Sequence, residues 1–98
     1  MEPKDRTVNE MVEERRLELQ RLLAGALHHL VAERAEIDVI RRRKVDIFDP
    51  DEAIFIAKAD VEPVLSLEQI AFIVSNIESR GFTVKRTELK GERLLLLI

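Results

Sequence analysis

The run Leu94-Leu95-Leu96-Leu97-Ile98 constrains this chain most. It follows the turn signal Lys90-Gly91 and reads as a strand. Successive side chains of a strand point to opposite faces of its sheet. With every position apolar, both faces ask for cover, which places the strand centrally in its sheet. Ala53-Ile54-Phe55-Ile56-Ala57 has the same two-sided character and is expected to be the second central strand.

The edges come from more polar segments. Val45 to Phe48 and Phe82 to Thr87 are the candidates, with Asp49-Pro50-Asp51-Glu52 as a turn between the first two strands. Ser66-Leu67-Glu68-Gln69 is a capping box, and Ile70, Ile73, Val74 and Ile77 share one helical face behind it. Gly81 is the stop signal of that helix, 67–80. The expected spatial order is 45–48, 53–57, 93–98, 82–87. In that order the strands on either side of 93–98 run parallel and are joined by the helix. The fold class is therefore α+β: a long N-terminal helix followed by a ββαββ module, a split β-α-β with a four-stranded mixed sheet.

Ahead of the module, Thr7-Val8-Asn9-Glu10 opens a helix as a second capping box. Val8, Val12, Leu19, Leu23, Ala26 and Leu30 keep helical phase, and Ile37 and Ile40 continue it. The expected helix spans 8–42, and its closing cations Arg41 to Lys44 suit the negative end of the helix dipole. Reading Ile37 to Ile40 as a short strand is the competing choice. A helix of 35 residues is roughly 52 Å long, which exceeds a compact domain of this size, so it must project, bend at Gly25 or lie against a partner. The expected division is residues 1–43 as an oligomerisation helix and 44–98 as the small domain.

Small residues at Ala24-Gly25-Ala26 permit close approach of a second helix. Arg15 and Glu33 lie equidistant from residue 24, so in an antiparallel pair Arg15 of one chain faces Glu33 of the other. The expected interface is Val8, Met11, Val12, Arg15, Leu19, Leu22, Leu23, Gly25, Ala26, Leu30, Glu33 and Ile37. The sheet face not covered by helix 67–80 needs the long helix or a second subunit.

Charge separates the function classes. Among 98 residues, 16 basic and 19 acidic groups give a net charge of −3. A dedicated nucleic-acid binder carries a stronger basic excess. Two segments nonetheless lean positive, and Arg41, Arg42, Arg43, Lys44, Lys85, Arg86, Lys90 and Arg93 form the candidate phosphate-contacting set. A winged helix is the fold that goes with that alternative. It re-reads 50–58 as a helix, 66–80 as the recognition helix and 82–98 as the wing.

No cysteine is present, so disulfides, thiolate metal sites and cysteine nucleophiles are excluded. His28-His29 point about 100° apart on a helix and share a metal poorly. The carboxylates Asp46, Asp49, Asp51 and Glu52 are explained by turn chemistry. The hydroxyls sit in no nucleophile elbow or phosphate loop. No apolar run reaches membrane-spanning length, and Met1 to Glu10 is too polar for a signal peptide.

The expectation is a non-enzymatic cytoplasmic interaction or regulatory protein without metal, cofactor or small-molecule substrate, of a size that suits a small bacterial or phage protein. It self-associates, as a dimer, through its N-terminal helix and presents the α+β module to another protein. Nucleic-acid binding through the basic set is the alternative function.

Overall fold

The structure is a computed structural model that describes residues 4–30, 32–42 and 53–98, with side chains from residue 10 onward. Two helices and four strands follow in the order α1 (Lys4–His29), β1 (Arg34–Arg41), β2 (Phe55–Glu62), α2 (Leu67–Ser79), β3 (Arg86–Lys90) and β4 (Arg93–Leu97). The sheet order is β1-β2-β4-β3.

Every neighbouring pair is antiparallel. The α+β class stands, and the expected mixed sheet is corrected. Strands β2 and β3 do run the same way, joined through α2, but β4 lies between them and pairs with both. The predicted final strand and helix 67–80 fall on β4 and α2. Ser66 accepts a hydrogen bond from the Gln69 amide (3.2 Å), and the Gln69 side chain accepts from the Ser66 amide (2.8 Å), closing the capping box.

The largest correction lies at residues 30–42. Helix α1 ends at His29, and the residues expected to extend it form β1. The Leu30 amide donates to Ala26 and the Ala32 amide to Leu27, closing the helix, and the Glu33 amide already donates to Glu62 of β2. Ile37 and Ile40 are three apart, which suits one face of a helix, whereas Ile37 and Val39, two apart, share the covered face of the strand. The pairing of Arg34–Arg41 with Phe55–Glu62 decides the matter, since it satisfies the backbone along both segments and buries Val39. Strand β1 therefore takes the place beside β2 that Val45 to Phe48 was expected to fill. Residues 43–52, with that strand and the 49–52 turn, lie outside the described residues, as does the side-chain part of the Thr7 capping box.

Two smaller shifts have local causes. Strand β2 continues to Glu62, past the expected end at 57, because Ala59 and Val61 keep the buried alternation going. The last hairpin is tighter than expected. Gly91 takes φ +58° and leaves only Gly91-Glu92 between the paired Lys90 and Arg93, so β3 occupies 86–90 rather than 82–87. Residues 55–62 being strand, the helix over 50–58 that a winged helix requires is not formed at Phe55 and beyond.

Both helices pack on one face of the sheet. From α1, Leu19, Leu23, Ala26 and Leu27 are buried, spaced four, three and one apart along a single stripe. From α2 come Ile70, Ile73 and Ile77. They meet Val39, Phe55, Ala57, Ala59, Val61, Leu94 and Leu96, all of which belong to the same core. The small Ala57 and Ala59 keep the sheet surface low beneath the bulky helix residues. Burial of each large apolar side chain contributes about 1.5–3 kcal/mol. Residues of α1 and β1 share this core with those of the expected small domain.

Candidate functional site

The register places the other set of strand side chains on the opposite face. From β1 these are Arg34, Glu36, Asp38 and Ile40, and from β2 they are Ile56, Lys58, Asp60 and Glu62. Strand β4 adds Arg93, Leu95 and Leu97, and β3 adds Arg86, Glu88 and Lys90. No helix of the described residues covers this face. An antiparallel sheet can leave one face to water, but then that face is ordinarily polar throughout. Here it is divided.

Reading across the strands in register, one row runs Ile40, Ile56, Leu97, Arg86. The next runs Asp38, Lys58, Leu95, Glu88. The third runs Glu36, Asp60, Arg93, Lys90. Ile40, Ile56, Leu97 and Leu95 thus make an apolar corner, with Ile40 41% exposed. The third row is charged from edge to edge, with two acids followed by two bases.

Ion pairs tie this surface together. Arg93 donates to both Asp60 carboxylate oxygens (2.9 and 3.2 Å), and its guanidinium holds the Asp60 carboxyl below its ordinary value. Arg34 bridges Glu36 (2.8 Å) and Glu62 (3.3 Å), and Arg86 pairs with Glu88. All are exposed, so each adds little stability by itself. Both outer strands carry charges of both signs, which guards them against further strand addition.

The expected helical interface is spent elsewhere. Leu19, Leu23 and Ala26 are buried in the chain's own core, and Val12, Leu22 and Leu30 pack partly against it. Arg15 lies with its guanidinium 3.8 Å from the centre of the Phe82 ring and donates to Glu18 at 3.0 Å. Glu33 is not on the helix, and Ile37 sits on β1. The antiparallel pairing of Arg15 with Glu33 is therefore corrected: the two residues share no helix and Arg15 serves an internal contact. Gly25 is exposed, with open space beyond its Cα, and Met11 is 59% exposed. The Val8 side chain lies outside the described residues.

The basic set does not gather. Arg41 and Arg42 close β1 at one edge, whereas Lys85, Arg86 and Lys90 belong to the opposite edge, with β2 and β4 between. Arg42 is engaged with the Ala53 carbonyl (3.0 Å), Arg86 with Glu88, and Arg93 with Asp60. Arg43 and Lys44 lie outside the described residues.

Two grooves flank the helices. One, of about 410 Å³, is lined by Met11, Val12, Arg15, Phe82 and the ends of β2 and β4. The other, of about 370 Å³, runs between α1 and α2 past Arg21, Gly25, His29, Phe72 and Arg80. At its floor the His29 ring stacks on Phe72 at 5.1 Å, which gives one of the two expected histidines a packing role. Among the described residues, no three His, Asp or Glu side chains converge on a cation position. Nor is any described helix long and apolar enough to cross a membrane.

The sequence pointed to a second cover for the sheet through Leu94 to Ile98, but not to the residues of the bare face. Glu36, Asp38 and Ile40 fall in a stretch whose pattern fits a helix, which places them off the sheet. Comparison with protein-family models, curated proteins and solved structures gives no match to this chain.

Proposed function

We propose that this chain is a non-enzymatic interaction module whose working surface is the helix-free face of the sheet. One observation carries the reading: Ile40, Ile56, Leu95 and Leu97 form an apolar corner on a face that no described helix covers. Ordinary solvated sheet faces place polar residues at such positions, and contiguous apolar surface rimmed by charge is the usual composition of a protein interface. The helical stripe expected to mediate assembly is used inside the fold.

The experiment is light scattering on a sizing column over a range of concentrations, with Leu97→Ser as the test variant. Association by the parent chain that Leu97→Ser weakens supports the sheet face. Association that Leu97→Ser leaves unchanged assigns the interface elsewhere and removes this reading.

A further inference from the structure

The charges of the bare face are not scattered. In the β1–β2 half, Arg34 and Lys58 stand against Glu36, Asp38, Asp60 and Glu62, a net of −2. In the β3–β4 half, Arg86, Lys90 and Arg93 stand against Glu88, a net of +2. The row Glu36, Asp60, Arg93, Lys90 carries this separation in its plainest form, with acids on one pair of strands and bases on the other.

Such a pattern is complementary to itself under only one of the two simple face-to-face symmetries. A twofold axis lying across the strands sets each strand upon its own equivalent with the rows reversed, so the charged row falls on the apolar one, Glu36 on Ile40 and Arg93 on Leu97, and Asp38 falls on itself. A twofold axis parallel to the strands, between β2 and β4, sets β1 over β3 of the second copy and β2 over its β4. Glu36 then meets Lys90 of the second copy, and Asp60 meets its Arg93. In the apolar row, Ile56 meets its Leu97 and Ile40 meets its Arg86, and in the middle row Lys58 meets its Leu95. Each match occurs twice by symmetry. The like-signed match is Asp38 with Glu88 of the second copy. It is tempered by Lys58, which is paired in register with Asp38, and by Arg86, which already bridges Glu88.

We infer that the occupant of the bare face is a second copy of this chain, in a sheet-on-sheet dimer whose twofold axis runs parallel to the strands. This rests on the reading of the face given above and adds the partner and its register. The arrangement is an aligned β-sandwich with helices on its two outer sides. It also supplies a second cover for Leu95 and Leu97 of β4.

The size of the face sets the strength. Two strands of eight residues (roughly 26 Å) and two of five (roughly 17 Å), about 4.8 Å apart, present about 410 Å² per copy. A total of about 800 Å² is below the size of a standard specific interface, so the contact is a weak one. The dimer is therefore expected to dissociate in the micromolar range or above, visibly on dilution.

The test is sedimentation equilibrium on four full-length chains: the parent, Leu97→Ser, Glu36→Lys, and Glu36→Lys combined with Lys90→Glu. All three positions lie on the bare face, and far-UV circular dichroism checks that each variant is folded. The expected result is a parent dimer, at least tenfold weakening by Leu97→Ser and by Glu36→Lys, and recovery of most of that loss in the double variant. A dimer weakened by Leu97→Ser but not rescued by the charge swap overturns the register and keeps the face. A dimer indifferent to all three variants overturns both. A parent that stays monomeric to millimolar concentration overturns the second copy as occupant.

Discussion

Leu96 and Leu97 are adjacent in β4 and face opposite ways, which makes them a sharp probe of the two-layer arrangement. Leu96 is 1% exposed and packs beneath the helices. Truncating it to alanine removes buried methyl groups and leaves a cavity that the sheet and two helices close only in part. Such substitutions cost about 2–5 kcal/mol. Against a total stability of about 5–15 kcal/mol, that is a large share. In a domain of this size each kcal/mol shifts Tm by about 4–8 °C, so a loss of 10 °C or more is expected. Leu97 is partly exposed on the bare face, paired in register with Ile56 and Arg86. Water fills the space left by Leu97→Ala, so no cavity forms and the monomer loses about 1 kcal/mol or less. The chain has no tryptophan or tyrosine, so urea unfolding is followed by far-UV circular dichroism, at a concentration that keeps it monomeric. The midpoints should separate clearly with little change in slope. Equal losses at the two positions would refute the assignment of one covered and one bare face.

Three further outcomes are expected. Ser66→Ala removes the hydrogen bond to the Gln69 amide and should cost about 1 kcal/mol in urea unfolding; an unchanged midpoint would mean that the capping box does not hold α2. Gly81 has φ +89°, so Gly81→Ala should destabilise by about 1 kcal/mol or more, whereas Gly25→Ala, in the interior of α1 with open space at its Cβ position, should stabilise by about 0.5–1 kcal/mol. The Asp60 carboxyl is held below its ordinary 3.8 by the hydrogen bond from Arg93, so the pair adds stability that is present above that value and is lost as pH falls through the lower folded-state value. Arg93→Gln should raise the Asp60 titration midpoint towards 3.8, read by carboxyl carbon NMR, and an unmoved midpoint would exclude the pair as the cause.

Much of the sheet was legible because its central strands announce themselves. Leu94 to Ile98 and the stretch around Phe55 are apolar on alternate and intervening positions alike, and both prove central, adjacent and antiparallel. Helix α2 was readable from a local signal, the Ser66–Gln69 box, which needs no tertiary information. Strand β1 was not readable in the same way. Its apolar residues Ile37, Val39 and Ile40 fit two periodicities, and the choice between them is made by β2, which lies beyond residue 53. That one misassignment moved Glu36, Asp38 and Ile40 off the sheet and so concealed the pattern of the bare face. It also made Arg15 and Glu33 look like partners across a dimer, when Arg15 is occupied by Phe82 and Glu18. The charged row is a property of register, and register emerges only once the strand order is known.

In a sheet-on-sheet dimer the bare face is open to solvent in the single chain and covered when two copies meet. The chain contains no cysteine, so a single thiol can be placed at will. Lys58→Cys puts one in the middle of that face, and Ser75→Cys puts one on the exposed side of α2 as a control. The measurement is the rate of thiol labelling at rising protein concentration. Both variants should label rapidly when dilute, with protection growing with concentration at position 58 but not at 75. A thiol at position 58 that labels equally fast at every concentration, or that is protected even at high dilution, would contradict this arrangement.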